Sequence, residues 1–432
     1  MPAKFSWIPV AVFCVLVFSW SVYRDIQLEK QDSCDLRNRV VGARMQKDGL
    51  SPYFYKWKKG DGLRYYDPNN FDSLRVSNIT ASPFFHYLLY PISDLPQRTI
   101  SVIWLIAEYL MLVIIVLLAL ALATTRLQQW LVIITACLLL LTEAWKMHMG
   151  KGQNYICIVL GAMLFYYCLR KKTPATALLA GICAVMLVLI KPPAILFFIP
   201  FLFWVKTFGP KLTAICMLPL IIAGVWVLTS KRERYLWKQY QENITQQIQL
   251  HQQEWPPTQA NAPDPMFPVW EGIDRAAIKQ QAGPFPDKIF SENGNFFVVA
   301  QQLFHKKVNK TILSVLSVVC LLLLLLAFYK RHRAAGFALP DLAITGFCLF
   351  MIADLFSPVY RHQYYTVLWM FPLLLSAAMY QPLLQKIYLV LAVGLLLNVV
   401  NIPVLPMEHT MGEYIMLVGF IVLSLRRKTG TV

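Results

Sequence analysis

Residues 99–123, TISVIWLIAEYLMLVIIVLLALALA, hold one charged side chain, Glu108, in a run longer than the ~20 residues a helix needs to cross a bilayer. Similar apolar runs recur along the chain at 5–23, 130–142, 154–169, 175–190, 193–205, 212–229, 311–329, 339–356, 365–380, 386–400 and 412–425. With 57% hydrophobic and only 15% charged residues, the composition excludes a soluble core as their destination. The chain therefore reads as all-α, a polytopic transmembrane bundle of about twelve spans in a single domain over residues 1–432. Residues 83–95, PFFHYLLYPISDL, are shorter and broken by Pro91, so they read as re-entrant or interfacial.

Lysine and arginine in short loops mark the cytoplasmic side. With Lys4 inside, every second loop is basic: Arg126; Arg170, Lys171 and Lys172; Lys206 and Lys211; Lys330, Arg331 and Arg333; Lys386; and Arg426, Arg427 and Lys428. Both termini then lie inside, and the two long loops, 24–98 and 230–310, lie outside. Residues 5–23 follow a lysine as a signal peptide would, but they end without a small-residue cleavage site, so an uncleaved first span is expected. Most of the nine cysteines fall inside apolar runs, and only Cys34 sits clearly in an external loop; their spacing suits neither a disulfide framework nor a metal site. The net charge of +17 fits anchoring on anionic membrane lipid, and no nucleic-acid partner is expected.

The first long loop is rich in Tyr, Trp, Lys and Asp and has turn signals at Lys59-Gly60-Asp61-Gly62 and Asp67-Pro68-Asn69-Asn70, so it reads as folded. The second opens with KRERYLWKQYQENITQQIQLHQQ, polar helical text expected to be a solvated surface. A Pro-rich segment from Trp255 to Pro286 follows, a candidate lid or acceptor platform. Asn78, Asn243 and Asn309 each begin an Asn-x-Thr sequon.

Just beyond the first span lies the most polar text of the N-terminal quarter, Asp32 to Tyr55, DSCDLRNRVVGARMQKDGLSPYFY. Within it Asp35 opens an amphipathic run, with Leu36, Val40, Val41 and Met45 against Arg37, Arg39, Arg44 and Lys47, that stops at Asp48-Gly49. Asp35 reads either as a plain helix cap or as a carboxylate held available as a base or ligand. Further polar clusters fall at span ends on the same side: Thr142 to Asn154 (TEAWKMHMGKGQN), Lys191-Pro192-Pro193, and Ser357 to Tyr365 (SPVYRHQYY). Each alone has a bland reading as a cap, a snorkelling lysine or an interface anchor. Gathered on one face with Asp35 they read as a site, and Lys191, Arg361 and the arginines beside Asp35 sit where an anionic headgroup or phosphate would bind.

In this order and spacing the motifs resemble the polytopic glycosyltransferases of family 87, in the GT-C class, which includes polyprenol-phosphate-mannose-dependent mannosyltransferases. The family's Asp after the first span, with its Gly-x-x-Pro-Tyr ending, is matched by Asp35 and Gly49-Leu50-Ser51-Pro52-Tyr53. Its Pro-containing apolar stretch is matched by Ser82-Pro83-Phe84-Phe85 through Leu95-Pro96, its Gly-Gln-x-Asn-like motif by Gly152-Gln153-Asn154, and its span-ending Lys-Pro by Lys191-Pro192. Its Ser-Pro followed by His and Tyr is similar to Ser357-Pro358 and His362-Gln363-Tyr364, where the family's His falls on His362 or, one place along, on Gln363. The usual aromatic ahead of the double proline near residue 82 is absent.

The resemblance implies transfer of a sugar, with mannose a candidate, from a polyprenyl-phosphate-sugar donor to a hydroxyl of a lipid or glycan acceptor. Inversion is implied, on the external face of a cell membrane such as a bacterial inner or plasma membrane. It gives Asp35 the role of general base. It gives Lys191, Arg361 and His362 the departing phosphate, and Gln153 and Asn154 the sugar hydroxyls or phosphate, with Arg37, Arg39, Gln363 and Tyr364 as further substrate contacts. The external loops contain no Asp-x-Asp pair, so neither a metal nor an organic cofactor is expected. Two rivals share the topology. A transporter or flippase of a lipid-linked or anionic solute would string polar residues through the bilayer and carry internal repeats. An external glycan ligase or polymerase would move whole glycans.

Overall fold

The computed structural model describes residues 8–29, 34–55, 57, 60–67, 79–251, 269–270, 273–274, 294–296, 299–300, 309–357, 359, 361–400, 402 and 408–426. Lys4, Asp32, Asn78, Pro358, Tyr360, Arg427, Lys428 and most of the Pro-rich segment from Trp255 to Pro286 lie outside the described residues.

Every apolar run read from the sequence carries helix. In chain order these and the intervening helices are α1 (Ile8–Glu29), α2 (Cys34–Lys47), α3 (Pro83–Leu89), α4 (Gln97–Leu122), α5 (Arg126–Leu140), α6 (Glu143–Lys151), α7 (Tyr155–Lys171) and α8 (Pro174–Ile190). They continue as α9 (Ile195–Phe198), α10 (Val205–Phe208), α11 (Pro210–Thr229), α12 (Lys231–His251), α13 (Lys310–His332), α14 (Leu339–Leu355), α15 (Met370–Ala378), α16 (Gln385–Leu396) and α17 (Glu408–Leu425). The lone departure from all-α among the described residues is a two-residue ladder, Val269–Trp270 antiparallel to Ile273–Asp274.

Among the described residues, five helices are long and apolar enough to cross a membrane: Ile8–Leu28, Gln97–Leu122, Pro210–Thr229, Lys310–His332 and Glu408–Leu425. The pair α5 and α6, bent by 63°, brings the number to six if counted as one span. The expected count of about twelve is reached only by including runs too short to cross on their own. Prolines shorten some of them. Pro192, Pro193 and Pro200 withhold backbone donors, so residues 192–208 alternate between 3-10 and α turns instead of forming one helix.

Burial separates lipid-facing helices from interior ones. Only 6% of the α11 span window and 17% of the α13 window are buried, against 56% for α17. Ile221, Ile222 and Leu228 of α11 and Leu322 and Leu323 of α13 are largely exposed, an apolar surface that a soluble monomer does not leave to water. This is an integral membrane protein. The interior is built from α7, α14, α15 and the 3-10 turn Gln363–Trp369, where Trp369 stacks on Phe420 with ring centroids 5.8 Å apart. In lipid no hydrophobic push joins helices, so close crossings rely on small residues. A Cβ placed on Gly412 of α17 would lie 2.5 Å from the Gly394 carbonyl oxygen of α16.

The α2 segment departs most from its amphipathic reading. Its apolar face is buried as expected, but so are Arg37, Arg39 and Arg44. Each arginine is matched to a different segment: Arg37 pairs with Asp67 at 3.4 Å, Arg39 donates to the Gly152 carbonyl, and Arg44 donates to the Ser93 carbonyl at 2.6 Å. The helix begins at Cys34, so Asp35 lies within its first turn and does not act as its N-cap. It stops where the sequence said: Gly49 has φ +81°, its N–H donates to Gln46, and the Leu50 N–H donates to Met45. Beyond it, Tyr53, Tyr66 and Ile79 pack with Val41 and Met45 into a small core joined by Tyr55, Trp57 and Tyr240.

The polar helix α12 is not the freely solvated surface expected of it. Glu233, Leu236, Gln239 and Asn243 are buried along one face. The Asn243 amide donates to the Ile79 carbonyl at 2.8 Å, which closes that sequon to modification. Asn309 caps α13, accepting from the Thr311 N–H at 2.8 Å.

Candidate functional site

A cavity of about 950 Å³ opens where α2, the start of α7, the α8 end, α12 and the 354–365 segment meet. It brings together Asp35, Arg39, Asn154, Lys191, Arg361, His362 and Tyr364 from the sequence reading, drawn from four polar clusters far apart in the chain. Three other expected contacts are placed elsewhere. Arg37 is buried against Asp67, Gln153 is fully buried behind the wall, and Gln363 lies outside the lining while its neighbour His362 is part of it.

Asp35 is half-buried and reaches the cavity from the first turn of α2. The Gln153 side-chain N–H donates to its Oδ2, while Gln153 Oε1 accepts from Arg39 Nη2 at 2.5 Å. Arg39 Nη1 also donates to the Gly152 carbonyl at 2.7 Å. The turn carrying these groups follows from its sequence. Gly152 takes the left-handed conformation at φ +64° that ends α6, and its Gln153 N–H donates back to the His148 carbonyl at 3.0 Å. Gln153 is therefore bonded to the carboxylate that lines the cavity without being part of the lining itself.

Across the cavity, Lys191 Nζ lies 2.6 Å from Asp354 Oδ1 and Arg361 Nε lies 2.8 Å from Asp354 Oδ2. Arg361 Nη1 reaches Glu413 of α17 at 2.6 Å, and Thr366 donates to the same glutamate. Two cations thus meet two carboxylates. Lys191 also sits over the Tyr365 ring at 4.3 Å and the Tyr155 ring at 5.2 Å. Burial pulls its ammonium below the ordinary lysine value, and the Asp354 carboxylate works against that shift. His362 stacks on Tyr364 at 4.7 Å.

One wall escaped the sequence reading. Arg234, Trp237, Lys238, Gln241 and Thr245 of α12 line the cavity. Their signal was present as a spacing of three and four along a polar helix, though such text is commonly solvated.

Residues 80–261 match the model of glycosyltransferase family 87. The resemblance carried by the motifs is borne out. The family 87 match takes in Asn154, Lys191 and the whole α12 wall, whereas Asp35 and the Arg361–Tyr365 segment lie on either side of it. Among solved structures, the crystal structure of the Archaeoglobus fulgidus oligosaccharyltransferase in the apo form is similar, with a TM-score of 0.42 and 12% identity. The likeness covers 97% of this chain and 57% of that one, so this chain spans little more than half of that protein's length. A comparison with curated proteins gave no match. Among the described residues no group of three His, Cys, Asp or Glu side chains is arranged to hold a metal ion.

Proposed function

We propose that the chain is a glycosyltransferase that moves a sugar from a polyprenyl-phosphate donor to a hydroxyl of a lipid or glycan acceptor, with inversion, on the external face of the membrane. The observation that carries this reading is that Asp35, Lys191 and Arg361 line one cavity. The family 87 match over residues 80–261 supports the reaction class.

Asp35 is the general base. It takes the proton of the acceptor hydroxyl as that oxygen forms its bond to the anomeric carbon; the bond from that carbon to the lipid phosphate breaks, and the phosphate leaves with the electron pair. Gln153, held by Arg39, keeps the carboxylate aimed into the cavity. Lys191 and Arg361 face the side where negative charge grows on the leaving phosphate. Their existing bonds to Asp354 and Glu413 make them a pre-positioned pair, which avoids reorganisation during the reaction. Asn154, His362 and Tyr364 offer polar and stacking contacts to the sugar.

The test is sugar transfer from a polyprenyl-phosphate donor by purified protein, comparing the parent with Asp35→Asn at matched thermal stability. A loss of roughly 10²-fold or more in turnover is expected for a missing general base. Transfer at the parent rate would return Asp35 to a structural role.

A further inference from the structure

The described lining of the cavity holds five cations, Arg39, Lys191, Arg234, Lys238 and Arg361, against two carboxylates, Asp35 and Asp354. Arg39 is committed to the Gly152 carbonyl and to Gln153. Lys191 and Arg361 share Asp354, and Glu413 stands behind Arg361. The positive charge left without a close local match is on α12. Among the described residues no carboxylate pairs with Arg234, and Lys238 meets only Glu242 on its own helix, at 3.9 Å.

The placement of these two cations is fixed from behind. Tyr87 donates to Glu233, and Asn243 donates to the Ile79 carbonyl at 2.8 Å, so the helix cannot roll about its axis without breaking buried bonds. That locks the other face, with Arg234 and Lys238 one turn apart, toward the cavity. Neighbours at this spacing stand about 5–6 Å apart at their Cβ atoms, within reach of one tetrahedral or planar oxyanion. The Trp237 indole N–H between them is buried without an acceptor.

We infer that Arg234 and Lys238, with the Trp237 N–H beside them, form a subsite for a phosphate or carboxylate carried by a substrate. The inference rests on the reading of this cavity as a substrate site. The anion is either the lipid phosphate of the donor or an acidic group on the acceptor. An acidic acceptor group seated on α12 would hold that substrate by a part that does not react, whereas a donor phosphate seated there would be met by positive charge as it leaves.

The experiment uses the purified full chain in nanodiscs and measures binding of farnesyl phosphate, mannose 6-phosphate and neutral octyl mannoside to the parent and to the Arg234→Gln, Lys238→Gln double variant. Both side chains are exposed, so thermal stability should be unchanged. The double variant should lose about tenfold or more in affinity for a phosphate probe and nothing for octyl mannoside. Loss confined to farnesyl phosphate assigns the subsite to the donor, and loss confined to mannose 6-phosphate assigns it to the acceptor. Equal phosphate binding by both proteins, or none by the parent, overturns the subsite. Either failure leaves the glycosyltransferase reading to the separate Asp35→Asn transfer assay.

Discussion

At the scale of single residues, Lys191 and Arg361 separate into two kinds of cation. Arg361 is almost wholly buried and bound to two carboxylates, so Arg361→Ala strands Glu413, leaves Asp354 to Lys191 alone, and should cost about 3–5 kcal/mol of stability as well as activity. Lys191 is partly open, and Lys191→Ala leaves Asp354 paired with Arg361. It should fold, with donor affinity reduced about tenfold or more. Thermal unfolding alongside donor saturation curves tells them apart, and an Arg361→Ala protein as stable as the parent would contradict the buried-pair account. His86 gives a pH-dependent counterpart. Burial, and secondarily Arg39, hold its pKa down to about 3. The unfolded chain therefore takes up a proton that the folded chain refuses. Stability is complete above about pH 6.5 and falls as pH drops from there toward 3, by up to about 1.4 kcal/mol per pH unit. The apparent Tm should fall between pH 7 and pH 5, and less so in His86→Asn, which keeps a hydrogen-bonding side chain beside Gln46.

At the scale of elements, the crossing of α16 and α17 depends on two glycines. Gly412→Leu should drive the helices apart, because its first side-chain carbon would already sit 2.5 Å from the Gly394 carbonyl oxygen. Thermal melts should place it well below the parent, and an unchanged melting temperature would mean the crossing yields more easily than close packing allows. The helices themselves were legible because an apolar run in lipid has one stable answer. The fate of α2 and α12 was not. Their polar residues are satisfied by Asp67, Ser93, Gly152 and Ile79, all from other segments, and no local pattern encodes such partners. Asp35, Lys191 and Arg361 could be named as candidates by motif, but the Asp354 that joins two of them could not, since Lys191 and Asp354 are 163 positions apart.

For the whole molecule, the alternation of basic loops predicts which side each surface faces. Gly60→Cys, in the first long loop, should be labelled by an impermeant reagent from outside, and Lys386→Cys only from inside. The nine native cysteines are buried or half-buried, which keeps the background low. Labelling of Gly60→Cys from the cytoplasmic side alone would place the cavity on the wrong face for a lipid-phosphate donor.

The pairing of Lys191 with Asp354 also bears on how the molecule can be cut. The cavity takes most of its lining from the stretch 80–261 and the rest, including Asp35, Asp354 and Arg361, from both flanks. An excised middle segment would therefore be an incomplete socket, lacking Asp35, Asp354 and Arg361. Two co-produced pieces divided after α12 should instead find each other in the bilayer, helped by the Lys191–Asp354 link that neither piece can close alone.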